Sequence, residues 1–196
     1  MTAKLIYGVG YNSKGKYKPC INRKNTCSYD VWIKMLGRCY DKKTQGKHPT
    51  YIGCTVNDDW HDYQVFANWY HEHPYADLGY HLDKDILIPN NKIYSSKTCC
   101  LVPREINNLF TDRRNNRGAY PIGVCLHKQN GRYISSIRIN GNKVYLGLFD
   151  SPDEAHQAYK ETKERYVRNM ALKWANRIEW DVFVALMNWR LVEGSQ

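Results

Sequence analysis

The residues best placed to do chemistry lie in the run YHLDKDIL, residues 80–87. If it is a strand, His81, Asp83 and Asp85 share one face, and Leu82, Lys84 and Ile86 share the other. Two carboxylates and an imidazole on one face are costly to bury unless water or a cation satisfies them. Pro89-Asn90-Asn91 reads as a turn and KIYSS (92–96) as the returning strand. TCCLVPREINNLF (98–110) then opens a short helix at Pro103 and offers Asn107 and Asn108 as further oxygen ligands. Strand, tight turn, strand and amide-bearing helix is the geometry of a ββα-metal site. There a Mg²⁺ or Mn²⁺ ion held by few protein ligands keeps waters for a substrate phosphate.

The charge distribution fits such a site. The 196 residues carry a formal +10, with 29 Lys and Arg against 19 Asp and Glu. Residues 1–50 hold 11 cations and 2 acids, residues 51–110 hold 4 and 8, residues 111–149 hold 7 and 1, and the remainder 7 and 8. Two basic blocks flank an acidic centre, as expected where cations meet phosphates around a metal-holding carboxylate cluster. The chain has no apolar run near the ~18 residues of a membrane span and no apolar leader, so an intracellular, non-membrane protein is expected. Seven cysteines without an export signal read as reduced thiols. They show no C-x2-C spacing; zinc bound by Cys39, Cys54, Cys99 and a histidine is the lesser alternative to buried free thiols.

The positioning elements follow from periodicity. Residues 6–27 read as a hairpin or extended basic arm that carries Lys14, Lys16 and Lys18. Ser28 caps a helix whose apolar face is Trp32, Met35, Leu36 and Cys39, with Lys34 and Arg38 on its polar side. After a turn-rich stretch, an Asp at 58 or 59 caps a second helix that buries Tyr63, Phe66, Trp69 and Tyr70. The segment TDRRNNRGA, with Arg113, Arg114 and Arg117, marks a boundary. Three short strands follow, then a helix capped by Ser151 with Pro152 at its first position, and a last helix near 178–192 that packs back or makes a dimer contact. The expected organisation is a basic arm (1–28), a ββα-metal domain (29–111), a basic linker (112–119), a sheet-and-helix domain (120–170) and a C-terminal helix (171–196).

In the sheet-and-helix domain, alternation turns Val124, Leu126, Tyr133, Ile137, Val144 and Leu146 toward Ala155, Ala158 and Tyr159 of the helix. Cys125, His127, Ile134, Ser136, Arg138, Lys143 and Tyr145 face outward. Together with Lys128 and Arg132, this open face suits phosphate and base-edge contacts, and Arg138 is placed for a bidentate contact to guanine. Gly8-Val9, Gly15-Lys16-Tyr17 and Ile21 echo Gly123-Val124, Gly131-Arg132-Tyr133 and Ile137, so the arm reads as a reduced second hairpin lying on DNA.

Two resemblances sharpen these expectations. Trp32, Met35-Leu36-x-Arg38-Cys39-Tyr40, Tyr51-x-Gly53-Cys54-x-Val56 with Trp60, Leu82-Asp83-Lys84-Asp85, Tyr94-Ser95 and Thr98-Cys99 together resemble phage HNH homing endonucleases over residues 29–110. The resemblance implies that Asp83 is the metal-binding acid and Asn107 the last metal ligand, with Asp85 alongside. Lys84 stands where that family has the His that activates water, and Thr98 stands near its middle Asn. A lysine with a pKa near ~10.4 is a poor general base at neutral pH. Three outcomes follow: His81 substitutes, Lys84 has a lowered pKa, or the centre is silent.

The second resemblance covers residues 121–166. Gly123-Val124, Gly131-Arg132-Tyr133-Ile134, Ile137-Arg138, Tyr145-Leu146-Gly147-Leu148-Phe149 and Glu154-Ala155-x-x-Ala158-Tyr159 resemble the DNA-binding domain of plant ethylene-response factors, which also occurs on phage HNH endonucleases. It implies a three-stranded sheet in the major groove with the helix on its back.

The expected fold class is therefore α+β: an HNH-like ββα-metal domain plus a three-stranded antiparallel sheet packed on one helix. The expected activity is sequence-specific binding of double-stranded DNA by a phage or mobile-element protein in the cytoplasm of a bacterial host. In one form, Asp83, Asp85 and Asn107 hold Mg²⁺ while His81 or Lys84 assists the water; in the other, a silent relative acts as a repressor or target-site competitor. A basic RNA- or ribosome-binding protein would explain the charge but not the acidic centre.

Overall fold

The helical spacing of apolar side chains fixes the first long element of the computed structural model, which describes residues 5–110 and 119–192. Helix α1 (Cys27–Tyr40) buries Trp32, Met35, Leu36 and Cys39, all on one stripe. Its N-cap is Thr26, not Ser28, and the Thr26 side chain makes no capping bond. Ser28 is fully buried inside the first turn, its hydroxyl 3.0 Å from that of Tyr63, so a buried phenol claims the group expected to cap. The turn-rich stretch beyond α1 contains a short helix, α2 (Lys42–Lys47), because the Asp41 carboxylate accepts from the Lys43 and Thr44 amides. Helix α3 (Tyr63–Glu72) starts later than the sequence suggests. Asp62 caps it, while Asp58 and Asp59 lie in a 3₁₀ turn capped by Asn57.

The chain divides into two compact units. One comprises the residues to Asn107 together with Arg177–Val182; the other comprises Asn108–Asn176 and the chain from Phe183. The first unit is built around an aromatic core: Trp32, Trp60, Tyr63, Phe66 and Tyr70 are all 2% exposed or less. Trp60 meets Phe66 edge-on at 5.0 Å, and the Trp32 indole donates to the Trp60 carbonyl at 2.7 Å. Trp69, expected in the same core, is half-buried at its margin.

The amino-terminal segment is not a free arm. Gly10 lies where an added Cβ would meet Leu36 and Trp32, the Ser13 amide donates to Asp62, and Gln64 both accepts from the Tyr17 amide and donates to the Tyr17 carbonyl. The segment is a strap along α3, followed by a tight hairpin of β1 (Cys20–Ile21) and β2 (Lys24–Asn25). The expected boundary at residue 28 therefore disappears into the first unit.

The strand expected over 80–87 is shorter. β4 (His81–Asp83) ends at Asp83, whose Oδ1 accepts from the amides of Asp85 and Ile86 and turns the chain. Its partner is also different. β5 (Ile93–Tyr94) runs parallel to β3 (Thr55–Val56), and β4 pairs antiparallel with β6 (Cys100–Val102). Helix α4 (Arg104–Asn107) follows with Pro103 just before it. A strand, a loop, a returning strand and a short helix are present, with the returning strand displaced toward the buried Cys100-Leu101-Val102 run.

In the second unit β7 (Val124–His127), β8 (Arg132–Ile139) and β9 (Asn142–Phe149) form an antiparallel sheet in that order. Helix α5 (Pro152–Trp174) packs on it, with the Ser151 hydroxyl accepting from the Glu154 amide. The register shifts between Ser135 and Ser136, leaving Leu146 as the extra residue of a bulge. Leu126 and Val144 remain more than a third exposed, so the packed face rests instead on Ile137, Ser135 and Tyr133. Gly123 has φ +85° and sits where any Cβ would strike the Tyr159 ring, so only glycine lets β7 approach α5. A last helix, α6, spans Trp180–Asn188. Among the described residues, no helix is long and apolar enough to cross a membrane.

Candidate functional site

Two places bring the expected residues together. The first is a cleft of about 60 Å³ in the first unit, lined by Arg38, Tyr51, Leu82, Asp83, Lys84, Asp85, Tyr94 and Asn107. β4 supplies Leu82 and Asp83, the turn after it Lys84 and Asp85, α4 Asn107, and α1 Arg38, while His81 of β4 lies beside Asn107 and does not line the cleft.

Lys84 is held where the resemblance implies the water-activating base. Its side chain is 7% exposed, and Nζ donates to both oxygens of Asp85, at 2.7 and 2.8 Å, and to the Asn91 carbonyl. An ammonium has three donors and no acceptor, so this lysine is fully engaged as a structural cation. Asn91 completes the clasp. Its amide donates to the Lys84 and Ile93 carbonyls and its oxygen accepts from the Ile93 amide, closing the 84–93 loop at both ends. Thr98, near the expected middle Asn, donates to the Ile93 carbonyl at 2.7 Å and lies 3.0 Å from the Ser95 hydroxyl.

The carboxylates do not share a face. Asp85 has turned to Lys84 because the strand stops at Asp83, which overturns the alternation expected through residue 85. Asp83 is buried enough to push its carboxyl pKa above the usual range, against the lowering effect of the Asp85 and Ile86 amides. His81 Nδ1 lies 3.3 Å from the Asn107 side-chain amide. With that amide donating, the imidazole proton resides on Nε2. Burial lowers the His81 pKa, and Arg104, Arg38 and Lys34 lower it further, so the ring is held neutral.

A divalent ion here would find one free Asp83 oxygen and the Asn107 carbonyl, with three cations bearing on the neighbouring imidazole. Waters would have to complete its shell, and among the described residues no group of three or more His, Cys, Asp or Glu side chains converges as metal ligands. Cys39, Cys54, Cys99 and Cys100 belong to the packing, whereas Cys20, Cys27 and Cys125 are exposed, against the expectation of buried thiols throughout. Cys39 and Cys99 are buried, which pushes both thiols up to about 12.

Periodicity placed Arg38 only on the polar side of α1. In the structure it enters the cleft, its guanidinium 5.4 Å from the Tyr51 ring centre. Burial disfavours its charge, but Tyr94, Tyr51 and Asp83 outweigh that and hold its pKa up. No one-dimensional signal separates an arginine on a wet helix face from one over which a loop later folds.

The second place is the sheet face opposite α5. Cross-strand partners share a face, so the register aligns Cys125 with Ile134, His127 with Arg132, Ser136 with Tyr145, and Arg138 with Lys143. Tyr145 is 62% exposed, and Arg138 and Lys143 are exposed beside it. Three expected contacts are modified. Arg132 pairs with Asp150 at 2.7 Å and donates to the Leu148 carbonyl; His127 is tied to Asn130 at 2.8 Å; Lys128 extends from the turn beyond β7. Lys14, Lys16 and Lys18 are exposed on the strap of the first unit. Arg113, Arg114 and Arg117 lie outside the described residues.

Compared with protein-family models, curated proteins and solved structures, the chain gives no match.

Proposed function

We propose that this protein binds double-stranded DNA in a sequence-specific manner through the uncovered sheet face of its second unit. On this reading it is a relative of the phage HNH homing endonucleases that occupies its target without cutting it. The observation that carries the proposal is the direct pairing of Arg138 with Lys143 on that face. Like charges directly opposite on adjacent strands destabilise a sheet. Here they stand uncovered beside an exposed Tyr145 and the Ser136 hydroxyl. A polyanion relieves the repulsion, and a guanidinium, a phenol and a hydroxyl can each address a base edge or a phosphate.

The clasped lysine supports the non-cleaving form. The position that would activate water holds an ammonium engaged by Asp85 and Asn91, and the neighbouring imidazole has its available nitrogen turned to Asn107. Binding without cutting makes the protein a repressor or a competitor for an endonuclease target. The cleaving form keeps one specific support, the proximity of His81 and Asn107 across a strand–strand–helix arrangement.

Selection of bound duplexes from a random library, followed by anisotropy titration, tests the reading. The wild-type chain enriches a defined sequence. Arg138→Ala with Lys143→Ala lowers affinity for that sequence by about 10- to 100-fold, given roughly 1–3 kcal/mol for one good base contact. Incubation with the selected duplex and Mg²⁺ or Mn²⁺ leaves it intact. Cleavage that disappears in Asp83→Ala would establish the nuclease form instead.

A further inference from the structure

The hairpin of the first unit is built against its own backbone preference, and the residue that carries the strain is an arginine. β1 and β2 are joined by two residues, Asn22 and Arg23, and Ile21 pairs directly with Lys24. Both loop residues have positive φ, 49° and 63°. A two-residue loop with both φ values positive is a type I′ turn, whose second position favours glycine. Among the described residues, seven non-glycine residues have positive φ: Asn22, Asp77, Asn90, Asn140, Tyr7, Lys14 and Arg23. Asn and Asp tolerate that conformation, whereas Lys14 and Arg23 are long cations and both belong to the strap and hairpin.

The tip is rigidly presented. Thr26 closes the ladder with its amide on the Pro19 carbonyl at 3.0 Å, and its hydroxyl donates to the Lys18 carbonyl. The Tyr63 hydroxyl donates to that same carbonyl, and the Asn25 amide donates to Asp30 at 2.8 Å. Residues 12–25 contain five cations, Lys14, Lys16, Lys18, Arg23 and Lys24, and no acid. All five are exposed, and among the described residues none of them is paired with a carboxylate. Burial does not explain an arginine at the tip, because Arg23 is exposed.

We infer that the β1–β2 hairpin is a second DNA-binding element, in which Arg23 contacts backbone phosphate of the duplex with Lys14, Lys16, Lys18 and Lys24 around it. The inference rests on the DNA-binding reading above and concerns a different surface, in the first unit. A strained cation at an exposed turn is the pattern of a position kept for contact, not for folding. The guanidinium matches a phosphate through two parallel N–H donors, which a lysine cannot reproduce.

Arg23→Gly separates the two roles, because glycine is the residue that the turn prefers. If the arginine served the fold, its removal would weaken the protein. If it serves DNA, the protein stays as stable or melts up to about 4 °C higher, while binding suffers. The measurement is duplex affinity against salt concentration for wild type, Arg23→Gly and Arg23→Lys, with thermal melting of each. The expected result for Arg23→Gly is unchanged or raised Tm, affinity lowered about three- to tenfold, and a salt slope shallower by about 0.9. Arg23→Lys keeps the slope and loses part of the affinity. Wild-type affinity and slope in Arg23→Gly overturn the inference alone. Absence of DNA binding by the wild-type chain overturns the proposed function and this inference together.

Discussion

Lys84 and Lys163 show how burial assigns a lysine its work. Lys84 is surrounded by acceptors and serves as the pin of a loop. Lys163 is half-buried on α5, where Nζ donates to the Leu109 carbonyl at 2.7 Å and lies 6.0 Å from the Tyr166 ring centre, and desolvation lowers its pKa to about 8. The unfolded value lies near ~10.4, so between about pH 8 and 10.4 the unfolded chain binds more protons than the folded one. Stability from this group therefore rises with pH through that window, by about 3 kcal/mol at most and by less where solvent screens the half-buried ammonium. Buried Cys39 and Cys99 act in the opposite sense, because the unfolded thiols ionise first. The difference between wild type and Lys163→Met isolates the lysine. Urea unfolding of the two proteins at pH 7 and pH 10 should show the advantage of the methionine variant shrinking as pH rises; a constant gap would contradict the lowered pKa. That lysines and not histidines would carry such features was not legible in the sequence, because charge patterning does not report which ammonium a neighbouring carbonyl will cover.

Elements were legible wherever one periodicity ruled. α1 and α5 follow from their apolar stripes and, for α5, from Ser-Pro-Asp-Glu at its start. The three strands of the second unit and their two faces follow from alternation. Reading stopped where a side chain competed with the ladder: Asp83 accepts two amides and ends β4 one turn before the alternation does. It also stopped where two short apolar runs could each return to β4, a choice made by the burial of Cys100, Leu101 and Val102. Alternation likewise overlooked Ser135, which points to the helix side from between Ile134 and Ser136. It is fully buried, and among the described residues its hydroxyl has no hydrogen-bond partner. A buried hydroxyl without a partner costs about 1–3 kcal/mol, so Ser135→Ala should stabilise the protein by about 1 kcal/mol. Because the side chain lies on the helix-facing side, DNA affinity should not change. Thermal melting and anisotropy on the same sample check both halves; a destabilised variant would mean that the hydroxyl has a role in the packing.

At the scale of the whole molecule, sequence order and spatial order part company. Arg177–Val182 belongs with the first unit, where the Tyr80 hydroxyl donates to the Arg177 carbonyl, the Tyr75 hydroxyl to that of Ile178, and His73 Nε2 lies 3.6 Å from Glu179. A linear division at residues 112–119 and 170 misses this return, since no composition change marks it. The charge pattern, by contrast, survives folding. Lys14, Lys16, Lys18, Arg23 and Lys24 on the first unit and Lys128, Arg138 and Lys143 on the second are exposed and, among the described residues, lack carboxylate partners. If all eight met phosphates, counterion release would give a salt slope near −7, at about −0.9 per contact. Base contacts by Arg138 and incomplete engagement of the strap make it shallower, so a wild-type slope between about −4 and −7 is expected. On the non-cleaving reading binding needs no metal, so replacing Mg²⁺ with EDTA at constant ionic strength should leave the specific affinity within about twofold, apart from the weak competition of Mg²⁺ for phosphate. A slope shallower than about −2 would show that the basic surface does not face DNA. An affinity that collapses in EDTA would restore a metal to the centre of the molecule.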